Sequence, residues 1–152
     1  MKETHGATDF TNIRFCLCRR PNCNLQYGWA SNFCSALLAF VENSDITVVS
    51  SDLTLAETLV EPNRTKNTEL SERRENLWNQ PNTGLLPISK DILRMAAKLR
   101  AETPGLKLPD AIHASTSLYY GCILFITNDL GFKRIPSLPL ILLDQVLASP
   151  DY

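Results

Sequence analysis

The chain has 152 residues, 44% of them hydrophobic and 20% charged, with a formal net charge of −1; this suits one globular domain and gives no general electrostatic pull towards nucleic acid or membranes. No apolar run approaches the length of a bilayer span, and the opening MKETHGATDF lacks the apolar core of a secretory signal, so a single cytoplasmic domain over 1–152 without a membrane partner is expected. Five cysteines without such a signal argue for reduced thiols over a disulfide framework.

In chain order, residues 13–18 (IRFCLC) are apolar enough for a strand or a buried turn of helix. Cys16, Cys18 and Cys23, with His5 and Cys34 as nearby fourth ligands, do not match a common zinc spacing, and buried or idle thiols are the better reading. Arg14, Arg19 and Arg20 read as a solvated basic cluster. Phe33, Ala36, Leu37, Phe40 and Val41 fall at helical spacing and predict a helix over 29–43. The β-branched run 46–49 (ITVV) predicts a strand, and Ser51 or Asp52 then caps a helix over 53–61 that Pro62 ends. In that helix Leu53, Ala56, Leu59 and Val60 form an apolar face with Glu57 on or beside it; the carboxylate either reaches solvent at the stripe's edge or needs a partner.

Residues 63–80 are strongly polar and read as a solvated helix. A strand is expected at 84–88, and Ser89 caps a helix over 90–103 that buries Ile92, Leu93, Ala96 and Leu99 before Pro104-Gly105 breaks it. Asp110, after Pro109, stands where a carboxylate caps a helix; Ala111, Ile112, Ala114 and Leu118 give that helix its apolar face, and Gly121 stops it. The run 122–127 (CILFIT) reads as a strand buried on both faces, followed by Asp129, and a last apolar strand covers 138–143. Strands alternating with helices imply a parallel sheet covered on both faces, with ligands at the carboxyl ends of the strands, where Asp129 lies.

The chemistry-bearing material is carboxylate. The chain has no phosphate-cradling glycine loop, G-x-S-x-G elbow or H-E-x-x-H pair. His113, three residues after Asp110, reads more readily as a core or first-turn histidine than as a catalytic one. Glu57, Asp110 and Asp129 come from different elements; gathered in one cleft they would repel unless a divalent cation offset them. Oxygen ligands suit Mg²⁺ or Mn²⁺, which can generate a nucleophilic water and stabilise in-line displacement at phosphorus.

The segments SSDLTLAETLVEP, PISKDILRMAAKLRAE, LKLPDAIHAST and GCILFITNDLGFKRI, in this order over about two thirds of the chain, resemble the PIN domain, in particular the VapC-like toxins of bacterial toxin–antitoxin pairs. The resemblance implies a three-layer α/β/α sandwich around a parallel sheet and metal-dependent endonucleolytic cleavage of RNA. It also implies that Glu57, Asp110 and Asp129 gather Mg²⁺ or Mn²⁺, that Thr127 and Asn128 flank and orient the last acid, and that the protein dimerises and binds a cognate antitoxin. Lys107, Lys133 and Arg134 are the basic candidates for phosphate contacts. The family's opening, a short apolar strand ending in an acid, is matched by Asp9-Phe10-Thr11-Asn12-Ile13 only with one residue inserted, and Asp9 is the candidate first acid. The rival expectation is a binding module of the same fold, catalytically impaired, that sequesters an antitoxin-like protein or RNA.

Overall fold

Five short runs form one mixed sheet in the computed structural model, which describes residues 15–19, 46–127 and 129–142. The strands are β1 (Phe15–Arg19), β2 (Ile46–Ser51), β3 (Thr83–Leu86), β4 (Leu124–Thr127) and β5 (Leu140–Leu142), in the spatial order β3-β2-β1-β4-β5. Two parallel pairs, β2 with β3 and β4 with β5, flank β1, which runs antiparallel to both its neighbours. The α/β architecture with parallel pairs is the expected one; the direction of the central strand is not. Either direction satisfies both ladders, because parallel and antiparallel pairing draw on the same N–H and C=O groups. The helix expected over 29–43, together with Asp9, Cys23 and Asn128, lies outside the described residues.

The register sets the height of the strand ends. Val49 of β2 and Phe125 of β4 both pair with Cys16. Two residues on, Ser51 and Thr127 therefore stand level at the carboxyl edge, two strand spacings or roughly 10 Å apart. Every residue of β2 from Thr47 to Ser51 is buried, so both faces of this strand are covered.

The connections hold the helices α1 (Leu53–Thr58), α2 (Val60–Thr65), α3 (Thr68–Asn76), α4 (Lys90–Glu102) and α5 (Leu108–Tyr119), with short 3₁₀ turns at Leu77–Asn79 and Leu130–Arg134. Pro62 does not end the first helix. The break falls at Leu59, and Pro62 sits in the first turn of α2, where its missing N–H leaves no bond unmade. The buried face of α1 also differs from the expected one: Ala56 and Val60 are exposed and Thr54 is buried, its hydroxyl 2.5 Å from that of Ser50. Asp52 occupies the N-cap of α1 without a side-chain bond, whereas Ser89 caps α4 by accepting from Ile92 N at 3.2 Å. Asn67 likewise caps α3, accepting from Leu70 N at 2.9 Å. The Arg74 guanidinium ties three helices together, donating to the Thr58 carbonyl and pairing with Glu61 at 2.8 Å.

The core lies between the sheet and the paired helices α4 and α5, with Val49, Ala96, Leu106, Ala111, Ala114, Phe125 and Phe132 at its centre. Ile92, Ala96 and Leu99 form the inward stripe of α4 at i, i+4, i+7; Leu93, expected inside, is 46% exposed because it stands one residue, about 100°, off that stripe. Helix α5 is buried continuously from Asp110 to Ser117. It ends at Gly121, whose φ of +64° is the left-handed conformation that stops a helix at low steric cost.

Candidate active site

The three acids singled out by the sequence lie on segments that begin or end at the carboxyl edge of the sheet. Helix α1 leaves the end of β2 after one residue and carries Glu57; α5 brings Asp110 in its first turn; Asp129 follows one residue after β4. Asp110 is not the cap that the sequence suggests. Pro109 and Leu108 already belong to the helix, Lys107 is the N-cap, and Asp110 lies within the first turn, where the positive end of the helix dipole favours a carboxylate.

Glu57 has a specific partner. Its Oε2 is 2.9 Å from His113 Nε2, and His113 Nδ1 is 3.0 Å from Ser51 Oγ. A carboxylate oxygen only accepts, so Nε2 carries the proton and donates to Glu57. His113 lies one helical turn beyond Asp110, on the same side of α5. The imidazole thus ties Glu57 to the helix that carries Asp110, and Glu57 retains partial exposure, 24% of its side chain.

Asp129 is held by its own turn. Its Oδ1 accepts from Gly131 N at 2.7 Å, and its backbone N–H donates to Thr127 Oγ1 at 3.1 Å. A Cβ at position 131 would come within 2.9 Å of that Oδ1, so the lack of a side chain at Gly131 permits the close approach. The turn is joined to the loop before α5: Arg134 Nη1 donates to the Pro104 carbonyl at 2.8 Å and Nε to the Gly131 carbonyl at 3.1 Å. Arg134 therefore works as a clamp between the two acid-bearing segments, and the phosphate contact expected of it competes with these bonds. Lys107 and Lys133 are exposed. Thr127 is buried, its hydroxyl directed to the backbone of Asp129.

The donor set fits a hard divalent cation in kind, being oxygen from carboxylates on three elements at one edge. Among the described residues no three His, Cys, Asp or Glu side chains are grouped closely enough to form a protein cage. Mg²⁺ is commonly held by one or two carboxylates, with waters and substrate phosphate completing the shell, and such a shell needs no three-ligand cage. The imidazole linkage through Ser51 is the feature that sequence reasoning missed. Ser51 read only as a possible cap and His113 as a core or first-turn histidine, and a contact across 62 positions leaves no local pattern.

The sequence model for the PIN domain matches residues 30–138. The crystal structure of VapBC2 from Rickettsia felis, bound to a DNA fragment from their promoter, aligns with a TM-score of 0.58 at 22% identity, over 70% of this chain and 81% of that one. No curated protein matches the chain. The matched stretch contains Glu57, Asp110 and Asp129 and begins after β1.

Proposed function

Because the chain belongs to the PIN domain family, we propose that it is a metal-dependent endoribonuclease, the toxin of a toxin–antitoxin pair, with Glu57, Asp110 and Asp129 as ligands for Mg²⁺ or Mn²⁺. The observation that supports this reading is the placement of the three carboxylates on segments that begin or end at the carboxyl edge, Glu57 bonded to His113, Asp110 in the first turn of α5 and Asp129 fixed by its own backbone turn. A divalent ion held there would activate water and stabilise charge developing on the transferred phosphate. The protein's own residues supply the rest. Gly131 N–H and the Thr127 hydroxyl fix the direction of Asp129, and the Arg134 clamp holds the turn bearing it against the start of α5. The exposed Lys107 and Lys133 offer cations for the RNA backbone. The structural neighbour is a toxin–antitoxin complex, which supports a small antitoxin protein as the partner of this chain, alongside self-association into a dimer.

The test is cleavage of a mixed RNA pool by the purified full chain with Mn²⁺, with EDTA, and in Asp110→Asn and Asp129→Asn variants prepared identically. Cleavage that requires the metal and both acids is the expected result; unchanged cleavage by either variant rejects the assignment. One observation favours a second reading, a binding module of impaired activity. The central strand β1 lies outside the family-matched stretch and runs against its neighbours, so the segment from which the family's first acid would come is not built in the family's way. A folded preparation that binds an antitoxin and cleaves no RNA would establish that alternative.

A further inference from the structure

The hydrogen-bonded series Ser51–His113–Glu57 has the composition of an acyl-transfer triad, but its burial is wrong for one. Ser51 and His113 are each 2% exposed, and a nucleophilic hydroxyl must be reached by its substrate. The only member with appreciable exposure is the carboxylate, at 24% of its side chain. The direction of the series is therefore from the core outward: a strand end holds an imidazole, and the imidazole holds an acid.

We propose that His113 is the positioning residue for Glu57, fixing the carboxylate for cation binding, with Ser51 fixing the plane of the imidazole. This rests on the reading of Glu57 as a metal ligand. The need for such a device lies in α1, a six-residue helix with only Thr54 buried. A helix that short is marginal by itself, and a glutamate side chain on it has three rotatable bonds to restrain. By contrast, α5 is buried through eight consecutive residues, and Ser51 belongs to β2, in register with Leu86 of β3. His113 thus refers the acid of the short helix to two well-buried elements, α5 and, through Ser51, β2. Its Nε2–H engages Oε2, and a carboxylate has two oxygens with several lone pairs, so this bond is compatible with cation coordination. Asp110 stands one turn earlier on the same helix.

The experiment compares the full-length wild type with His113→Leu, His113→Gln and Ser51→Ala. Mn²⁺ affinity is read from the electron paramagnetic resonance signal of free Mn²⁺, RNA cleavage is followed against Mn²⁺ concentration, and folding is checked by circular dichroism. Loss of a group that orients a metal ligand lowers metal affinity by roughly 10- to 100-fold. That loss is expected for His113→Leu, with cleavage recovering as Mn²⁺ is raised. His113→Gln should recover most of the affinity, because its amide nitrogen lies the same number of bonds from the backbone as Nε2 and can donate to Glu57. Ser51→Ala should fall between the two. Wild-type protein that binds no Mn²⁺ removes the metal role of Glu57 and this inference with it. Wild type that binds while folded His113→Leu binds equally well, or Gln impaired as much as Leu, overturns the inference alone. Should His113→Leu not fold, unchanged Mn²⁺ affinity in Ser51→Ala overturns it, and weakened affinity there with near-normal affinity in His113→Gln supports it.

Discussion

Asp129 has a structural bond that is separable from the metal-binding role proposed for it. Its Oδ1 accepts from Gly131 N, a bond that an asparagine oxygen can also make, so Asp129→Asn should keep its thermal midpoint close to the wild type while losing metal-dependent cleavage. A melting curve run beside the RNA assay separates the two, and a large fall in stability would mean that charge at this position also supports the fold. Gly121 is a different case. Nothing stands within 4 Å of a Cβ built there, so the expected cost of Gly121→Ala arises from the φ of +64° alone. About 1 to 2 kcal/mol should be lost in urea unfolding, with cleavage per folded molecule unchanged. Phe125 and Phe132 are fully buried, with ring centroids 4.9 Å apart, just behind the acid edge. Their truncation to alanine should cost roughly 3 to 5 kcal/mol each.

At the scale of the element, the caps decide where helices begin, and they are unequal. Ser89 makes the cap bond of α4 and Asp52 makes none for α1. Ser89→Ala should therefore lower stability by about 1 kcal/mol, the usual value of an N-cap, and Asp52→Ala should lower it by clearly less. Equal losses in denaturant titrations would show that Asp52 acts through a contact other than a cap. Helix α1 is held chiefly from outside, by the Ser50–Thr54 hydroxyl pair, the Glu57–His113 bond and the Arg74 contact with the Thr58 carbonyl. The surface pairs Arg73–Glu69 and Arg94–Asp91 are more than half exposed and contribute little by comparison.

For the whole molecule, charge is the relevant quantity. A formal net charge of −1 leaves no broad positive field, so on the proposed reading RNA would be retained by a few local cations and by the metal bound among the acids. Each phosphate contact to a single strand contributes about −0.7 to the slope of log K against log salt, so two contacts from Lys107 and Lys133 predict a slope of about −1.4. Fluorescence anisotropy with Asp129→Asn, across a salt series in the absence of cleavage, measures it. A slope steeper than about −3 would require an extended basic track, which lies beyond the two lysines. Among the described residues no helix is long and apolar enough to cross a membrane.

Much of this was legible in the order of residues. Apolar periodicity located β2, β4, α4 and α5 to within a few residues, because burial imposes its period on the chain directly. Asp110 and Asp129 stood out as candidates beside a helix start and a strand end, whereas Glu57, late in α1, was singled out by the family resemblance. The break at Leu59, the exposure of Leu93 and the cap role of Lys107 were misread or missed, since propensities at helix ends differ by little and packing decides them. What only the tertiary structure decided is the direction of β1 and the linkage of Ser51, His113 and Glu57. Strand direction is chosen by ladders whose partners are distant in sequence. A hydrogen bond likewise depends on a few tenths of an ångström between groups that only the completed fold brings together.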